Sequence, residues 1–344
     1  MLYATTRNKQ ETYTAQRALS QKTAPDGGYF VPFREPYFYP SQICQLGQIS
    51  FSDALSRMLN LLFGCKLTPW DIEFTAGRHP VQFEKTGRRT LAAERWHNTG
   101  WTFERLVEDL TEKIQTQLPQ NRGVGIWAEI GIGIAVLFAS FSRIFRENDL
   151  KNGETVDIAV CAENLLSAVS AWYAKSWGLP IGTIVCGCRE STGLWDLFHS
   201  GMLRAGAIRK STEEFTWADG LEILLCACGG QGESLRYLEA REKEKAYIPS
   251  DPVLMRLQEW MAVSVISEKR AEQTIPGVKS THHYILSADG AVAYAGLLDY
   301  RAVSGANNLG VVLCDRSPGL EVPALSKILG IQEKELRKLL IKEA

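Results

Sequence analysis

The chain has 344 residues, of which 45% are hydrophobic and 22% are charged. This composition is typical of soluble globular proteins and excludes disordered, collagen-like and low-complexity chains. The 38 Lys and Arg residues balance 39 Asp and Glu residues, so the basic excess of many nucleic-acid-binding proteins is absent. Eight cysteines are too sparse for a disulfide scaffold, and residues 1–4 lead directly into a polar segment that begins at Thr5, unlike a signal peptide. We therefore expect a reduced, cytoplasmic protein that binds no nucleic acid.

The first third of the chain favours helices and turns. In chain order we expect a helix over 12–19, an extended segment over 29–32 and a helix over 52–63. Residues 65–100 show no clean period. A clearer helix begins at Thr102, since apolar residues then recur at helical spacing: Phe103, Val107, Leu110, Ile114 and Leu118.

Residues 124–145 are mostly apolar, as the residues of a membrane-spanning helix are. Glu129 and later polar residues interrupt the stretch, and its uninterrupted part, residues 130–141, is 12 residues long. A bilayer core about 30 Å thick needs a longer segment. We therefore expect a buried helix and no membrane partner.

The second half of the chain alternates between strand and helix patterns. Strands are expected over 155–161, 181–188 and 309–314, and helices over 165–177, 192–203, 217–262, 291–300, 323–329 and 333–344. Strands separated by helices in this way favour a parallel sheet that is covered on both faces. A weakly marked boundary is expected near 119–123.

Several segments, in one consistent order, resemble threonine synthase, a pyridoxal-phosphate (PLP) enzyme of the tryptophan-synthase-β type. The N-terminus reads Leu-Tyr-Ala-Thr-Thr-Arg over residues 2–7 and Ala-Pro-Asp-Gly-Gly-Tyr-Phe-Val-Pro over 24–32. Further similar segments lie at 171–181, 196–201, 289–294 and 329–330. The resemblance therefore reaches both ends of the chain.

The resemblance implies an α/β fold with a parallel sheet and helices on both faces, known as PLP fold type II. It divides the chain into a helical, threonine-synthase-like N-terminal region over 1–118 and an α/β domain over 123–344. Because the chain is shorter than members of this family, we expect the smaller cofactor lobe to be reduced between residues 118 and 123.

The family's cofactor lysine has no counterpart in the matching segment. That lysine holds PLP as an imine and moves protons. Residues 96–105 are the best match to the family's motif, with His97 at the position of its histidine and Glu104 at the position of the lysine. A carboxylate forms no imine and repels the cofactor's phosphate. Glu104 and His97 are therefore candidate residues of a degenerate cleft.

The phosphate-binding loop also departs from the family's pattern. The family has Ser-Gly-Asn-Phe-Gly-Asn, whose glycines let backbone N–H groups close on the phosphate at the start of a helix. The matching residues here are Ala162, Glu163, Asn164, Leu165, Leu166 and Ser167. Only the asparagine, Asn164, is retained. These residues are candidates for a degenerate cofactor loop, and we expect no bound cofactor.

Other reactive residues give weaker signals. Lys66 and Lys85 are candidate displaced lysines, but neither precedes a convincing helix. The Cys-x-Cys pairs at 186–188 and 226–228 have narrower spacing than most structural zinc sites, so buried thiols are expected and no metal site is predicted. The pair His282–His283 is expected in a polar loop.

Two functions follow from this pattern. The first is a non-catalytic, threonine synthase-like protein, a pseudoenzyme that acts as a binding or assembly protein in amino-acid metabolism. A reduced lobe uncovers an apolar face, and residues 130–141 are one candidate to cover it. A large exposed apolar patch usually marks an interface, so this function predicts a protein partner or self-association. It also allows a small amino-acid-like ligand.

The second function is an enzyme. In one form it is a PLP-dependent threonine synthase or lyase that acts on O-phosphohomoserine or a related amino acid through another lysine. In the other form Glu104, His97 and Glu163 perform acid–base chemistry without PLP. That form requires the three side chains to meet in one pocket.

Overall fold

The strands and helices follow from a computed structural model that describes residues 1–78, 80–96, 102–118, 122–147, 150, 153–189, 193–204, 217–243 and 245–341. The strands are β1 (Leu2–Thr5), β2 (Tyr13–Thr14), β3 (Phe30–Pro32), β4 (Gln82–Gly87), β5 (Thr90–Glu94), β6 (Val156–Cys161), β7 (Ile181–Cys188), β8 (Met261–Val265) and β9 (Leu309–Cys314). The helices are α1 (Ala15–Ser20), α2 (Pro40–Cys44), α3 (Phe51–Phe63), α4 (Pro69–Ala76), α5 (Phe103–Gln115), α6 (Ile126–Glu147), α7 (Leu165–Ser176), α8 (Leu194–Ser200), α9 (Trp217–Gly229), α10 (Gln231–Glu242), α11 (Asp251–Trp260), α12 (Glu268–His282), α13 (Ala288–Ser304), α14 (Val322–Leu329) and α15 (Glu333–Leu340).

The larger sheet has six strands in the order β4-β5-β9-β6-β7-β8. All neighbouring pairs are parallel except the antiparallel hairpin of β4 and β5. Alternate residues of the strands face two separate cores: Ile158 and Val160 pack with α6 and α7, and Ala159 and Val185 pack with α12 and α13. The predicted α/β fold with a mostly parallel, doubly covered sheet is confirmed.

The N-terminal segment forms a three-stranded antiparallel sheet, β2-β1-β3, which packs beside the large core. An ion pair between the partly exposed Arg7 and the buried Glu222 connects it to α9. Arg7 Nε lies 3.2 Å from Glu222 Oε1, and the hydroxyl of Thr6 donates to the same oxygen at 2.6 Å. The predicted helix after Ser50 is confirmed as α3. The Ser50 hydroxyl accepts a hydrogen bond from the Asp53 backbone at its start, and Gly64 ends it with φ 70°.

By length and composition alone, helix α6 is long and apolar enough to cross a membrane. However, 83% of its most apolar stretch of 18 residues is buried inside the protein. It packs against α3, α5 and α7. Residues 130–141 are buried throughout. The predicted buried helix is confirmed, and this segment packs within the chain itself.

Two local predictions are wrong, and one further region forms strands that the sequence did not indicate. Residues 82–94, which show no clean period, form the hairpin of β4 and β5, so the large sheet takes two strands from the N-terminal side of the boundary expected near 119–123. Residues 217–262 are three helices that lead directly into edge strand β8. Pro276 and His282 lie inside α12 rather than in a polar loop, and His283 follows the helix with φ 57°.

Candidate functional site

A cavity of about 700 Å³, here called the cleft, opens where β6 and β9 end and α5, α7 and α13 begin. Its apolar wall comes mainly from the first turns of α6 and α7. Charged and polar side chains of the described residues also line it: Lys22, Glu104, Glu108, Glu129, Cys161, Glu163, Asn164, Asp289, Asp315 and Arg316. Carboxyl ends of parallel strands are the usual place for ligands in sheets of this kind.

The cleft brings together some of the residues that the sequence singled out. Glu104 lies in the first turn of α5, where the Thr102 hydroxyl caps the helix, and Glu163 and Asn164 precede α7. All three line the cleft. Ala162 and Ser167 are buried at 1% and 3% exposure and do not line it. His97 lies outside the described residues.

The segment before α7 places a carboxylate where the similar family has a phosphate-binding glycine. Glu163 accepts a hydrogen bond from the Arg189 backbone N–H at 2.9 Å and another from the Cys161 thiol at 2.8 Å. Leu165 and Leu166 are buried against the cleft at 1% and 3% exposure. A fixed negative charge and two large side chains thus occupy the approach to the start of α7.

A buried ion pair forms the base of this region. Its two residues, each of which follows the end of a strand, were not singled out from the sequence as site residues. Arg95, which follows β5, is 1% exposed, and its Nε and Nη2 atoms lie 2.6 Å and 2.5 Å from Asp315 Oδ1. Its guanidinium carbon lies 3.7 Å from the centre of the Phe103 ring. The Ser167 hydroxyl donates to the other Asp315 oxygen at 3.0 Å. This pairing fixes Asp315 in the cleft wall.

Glu129 is a site residue that the sequence placed only as an interruption in an apolar stretch. Its Oε1 atom accepts a hydrogen bond from the Asn164 amide at 3.3 Å, and the same amide lies 3.4 Å from Asp315 Oδ2. Burial is the main cause that raises the pKa of Glu129 to about 7. The carboxyl group can therefore exchange a proton near neutral pH.

The variant Glu129→Gln is expected to be more stable than the wild type at pH 8, by about 3 kcal/mol. A carboxyl whose pKa is raised on folding stabilises the protein below its unfolded pKa and loses that contribution as the pH rises through the folded value. The advantage of the variant should therefore fall on going from pH 8 to pH 4. Urea denaturation at both pH values measures it, and an equal difference at both would contradict the assignment.

Cys161 lies beside the carboxylates of Glu163 and Asp289. Burial, then Asp289 and Glu163, raise the pKa of its thiol well above the usual value. Arg189 binds both carboxylates, at 3.4 Å and 3.0 Å. The thiol therefore stays protonated at neutral pH and serves as a hydrogen-bond donor rather than as a nucleophile.

The remaining candidates lie away from the cleft. Lys66 and Lys85 are exposed and line none of it; Lys22 is the lysine that does, among the described residues. The four cysteines of the Cys-x-Cys pairs are buried. Within the described ranges, no group of three or more His, Cys, Asp or Glu residues is placed to hold a metal ion.

Comparisons with known proteins identify the fold. Residues 2–74 match the family model "Threonine synthase N terminus". The whole chain superposes on PLP-bound threonine synthase from Brucella melitensis with a TM-score of 0.79 and 15% identity, covering 100% of this chain and 95% of that one. The chain is a threonine synthase-like protein. Yeast threonine synthase gives 0.78 at 15% identity and covers 99% and 94% of the two chains, and the Escherichia coli enzyme gives 0.69 at 14% and covers 99% and 95%.

At these identities the structural likeness establishes the fold of the threonine synthase-like protein and not its activity. The matches extend over 94–95% of the Brucella and yeast chains. They do not confirm a reduced smaller lobe, which stays a prediction.

The residues of the cleft do not fit PLP. An imine requires a lysine, and the family's position carries Glu104. A phosphate requires N–H groups and positive charge, whereas six carboxylate side chains and two basic ones line the cleft in the described part of the chain. Glu163 before α7 and Leu166 in its first turn also take the positions where the family's glycines would admit the phosphate. The chain thus has the threonine synthase fold, and the described lining of its cleft does not fit the cofactor.

Proposed function

We propose that this threonine synthase-like protein works without PLP and is a binding protein whose cleft holds a small amino-acid-like ligand. The observation that carries the proposal is Glu104, a carboxylate in the cleft at the position where the similar family has its imine lysine. The protein partner or self-association and the reduced smaller lobe expected from the sequence belong to the same proposal. So does a reducing, cytoplasmic location, with which eight free thiols agree.

The chemistry of the cleft favours the ammonium group of an amino acid over a phosphate. Glu129 and Glu163 lie beside apolar residues of α6 and α7, so an ammonium group would meet carboxylates while a short carbon chain meets apolar surface. Lys22 and Arg316 line the same cavity and offer positive charge for a carboxylate. Pockets that bind small molecules commonly combine such apolar walls with a few polar groups.

Visible absorption spectroscopy with added PLP, followed by borohydride reduction and peptide mapping, tests the proposal. We expect no absorption band of an imine. We also expect no lysine-containing peptide that carries the reduced cofactor in stoichiometric amount. A stoichiometric label on one peptide would overturn the proposal and favour a PLP-dependent lyase. Lys22→Met is the control, because loss of such a label in this variant would place the cofactor in the cleft.

A second candidate function is acid–base catalysis in the cleft without PLP. Glu104 and Glu163 share the cavity with Glu129, whose pKa is about 7, and this arrangement favours proton transfer. If this function is correct, Glu129→Gln should bind the cleft ligand and fail to turn it over. A variant that turns the ligand over as fast as the wild type would exclude Glu129 from such a reaction.

A further inference from the structure

A second cavity, of about 550 Å³, lies beside the cleft and shares none of its lining residues. The two cavities have neighbouring walls: Glu94 and Trp96 line the second cavity, while Arg95 between them binds Asp315 of the cleft. Helix α12 and helix α15 close the other sides. Its volume lies in the range of small-molecule sites, roughly 300–1,000 Å³.

We propose that the second cavity binds a free α-amino acid with an apolar side chain. The proposal goes beyond the proposed function, because it concerns another cavity and does not depend on the state of the cleft. Three features of the lining, one for each part of such a ligand, support it.

The first feature is a buried carboxylate. Glu94 is 1% exposed, yet it lines the cavity, and the hydroxyl of Tyr284 hydrogen-bonds to it. Burial, followed by Cys314 and Glu94, raises the pKa of Tyr284 well above its usual value, so the hydroxyl remains a donor. A carboxylate in such surroundings binds an ammonium group through a charge-assisted hydrogen bond, which is stronger than a neutral one.

The second feature is a pair of basic side chains from the end of α12. Lys279 is half-buried, His283 is exposed, and both line the cavity. Lys279 lies in the last turn of α12 and His283 directly follows the helix, so both basic groups come from the same end of that element. Among the described residues, the lysines that pair with a carboxylate at 4 Å or less are Lys113 and Lys243, and Lys279 is not one of them. The ammonium group of Lys279 is therefore available for a ligand carboxylate.

The third feature is apolar surface. Ile285 and Pro318 are buried in the wall, and Leu329, Leu339 and Leu340 extend it towards solvent. Acidic and basic groups thus come from different elements, β5 and α12, with apolar residues completing the wall. A zwitterion with an aliphatic or aromatic side chain matches all three, whereas an amine or a carboxylic acid alone matches only two.

Isothermal titration calorimetry of the full chain with leucine and phenylalanine tests the proposal. We expect binding at millimolar concentration or tighter. Isoamylamine, which lacks the carboxylate, and 4-methylpentanoate, which lacks the ammonium group, should each bind about tenfold more weakly or worse.

Variants assign the binding to the second cavity. Lys279→Met, whose partly exposed position makes misfolding a small risk, should weaken leucine binding about tenfold, and Glu94→Gln should do so as well if circular dichroism shows it folded. Glu104→Gln, in the cleft, should leave leucine binding unchanged. The proposal is overturned if neither amino acid binds, if Lys279→Met binds as the wild type does, or if Glu104→Gln removes binding. That last result would place the ligand in the cleft and leave the proposed function standing.

Discussion

Replacing Asp315 by asparagine is expected to lower the free energy of unfolding by about 3–5 kcal/mol. Arg95 is 1% exposed and keeps its charge, while the variant removes the negative charge that its Nε and Nη2 atoms contact. The face of Phe103 compensates only in part, since an aromatic ring attracts a cation far less than a carboxylate does. A buried cation without its partner is among the costliest defects that one substitution produces.

Urea denaturation of the wild type and the variant measures this loss. Asp299→Asn is the matched control, because Asp299 pairs with Arg270 at 3.3 Å where both side chains are at least 40% exposed. An exposed pair contributes about 1 kcal/mol or less. Equal losses of unfolding free energy in the two variants would show that burial of Arg95 does not increase the cost of losing its partner, contrary to our expectation.

The parts of the fold that the sequence predicted well are those encoded by neighbouring residues. Strand β6, helix α7 and strand β7 follow one another with continuous apolar patterns, and so their order indicated a parallel sheet. The hairpin of β4 and β5 was missed because β4 is only partly buried and β5 contains small residues, including Ala92 and Ala93. Edge strand β8 was missed because it follows α11 with no intervening turn residue.

The cleft was predictable only where a motif carried the information. Resemblance located Glu104, Glu163 and Asn164, and the structure places them in one cavity. The resemblance did not predict the pairing of Arg95 with Asp315, because these residues are 220 positions apart and no single motif contains both. Glu129 had a usable signal, since a single acid in the apolar run of α6 must find a partner or a raised pKa. Its partner, Asn164, could be known only from the fold.

Replacing Glu222 by glutamine is the other change for which we expect a loss of about 3–5 kcal/mol in the free energy of unfolding. Glu222 has no exposed side-chain surface and binds Arg7 through both carboxylate oxygens, at 3.2 Å and 3.4 Å. It also accepts a hydrogen bond from the Thr6 hydroxyl, which is fully buried. The amide keeps the shape of the side chain but removes the charge that balances Arg7.

Glu333→Gln is the matched control, because Glu333 pairs with Arg337 at 3.8 Å with both side chains more than half exposed. We expect less than about 1 kcal/mol for it. Adding Arg7→Met to Glu222→Gln should recover part of the loss, since the cost lies in the unbalanced charge of Arg7, whose side chain is only 20% exposed, rather than in a missing attraction. A double variant as unstable as the sum of the two single variants would contradict this account. Recovery would instead show that this charge pair, which connects residues 215 positions apart, holds the N-terminal sheet to α9 through mutual neutralisation.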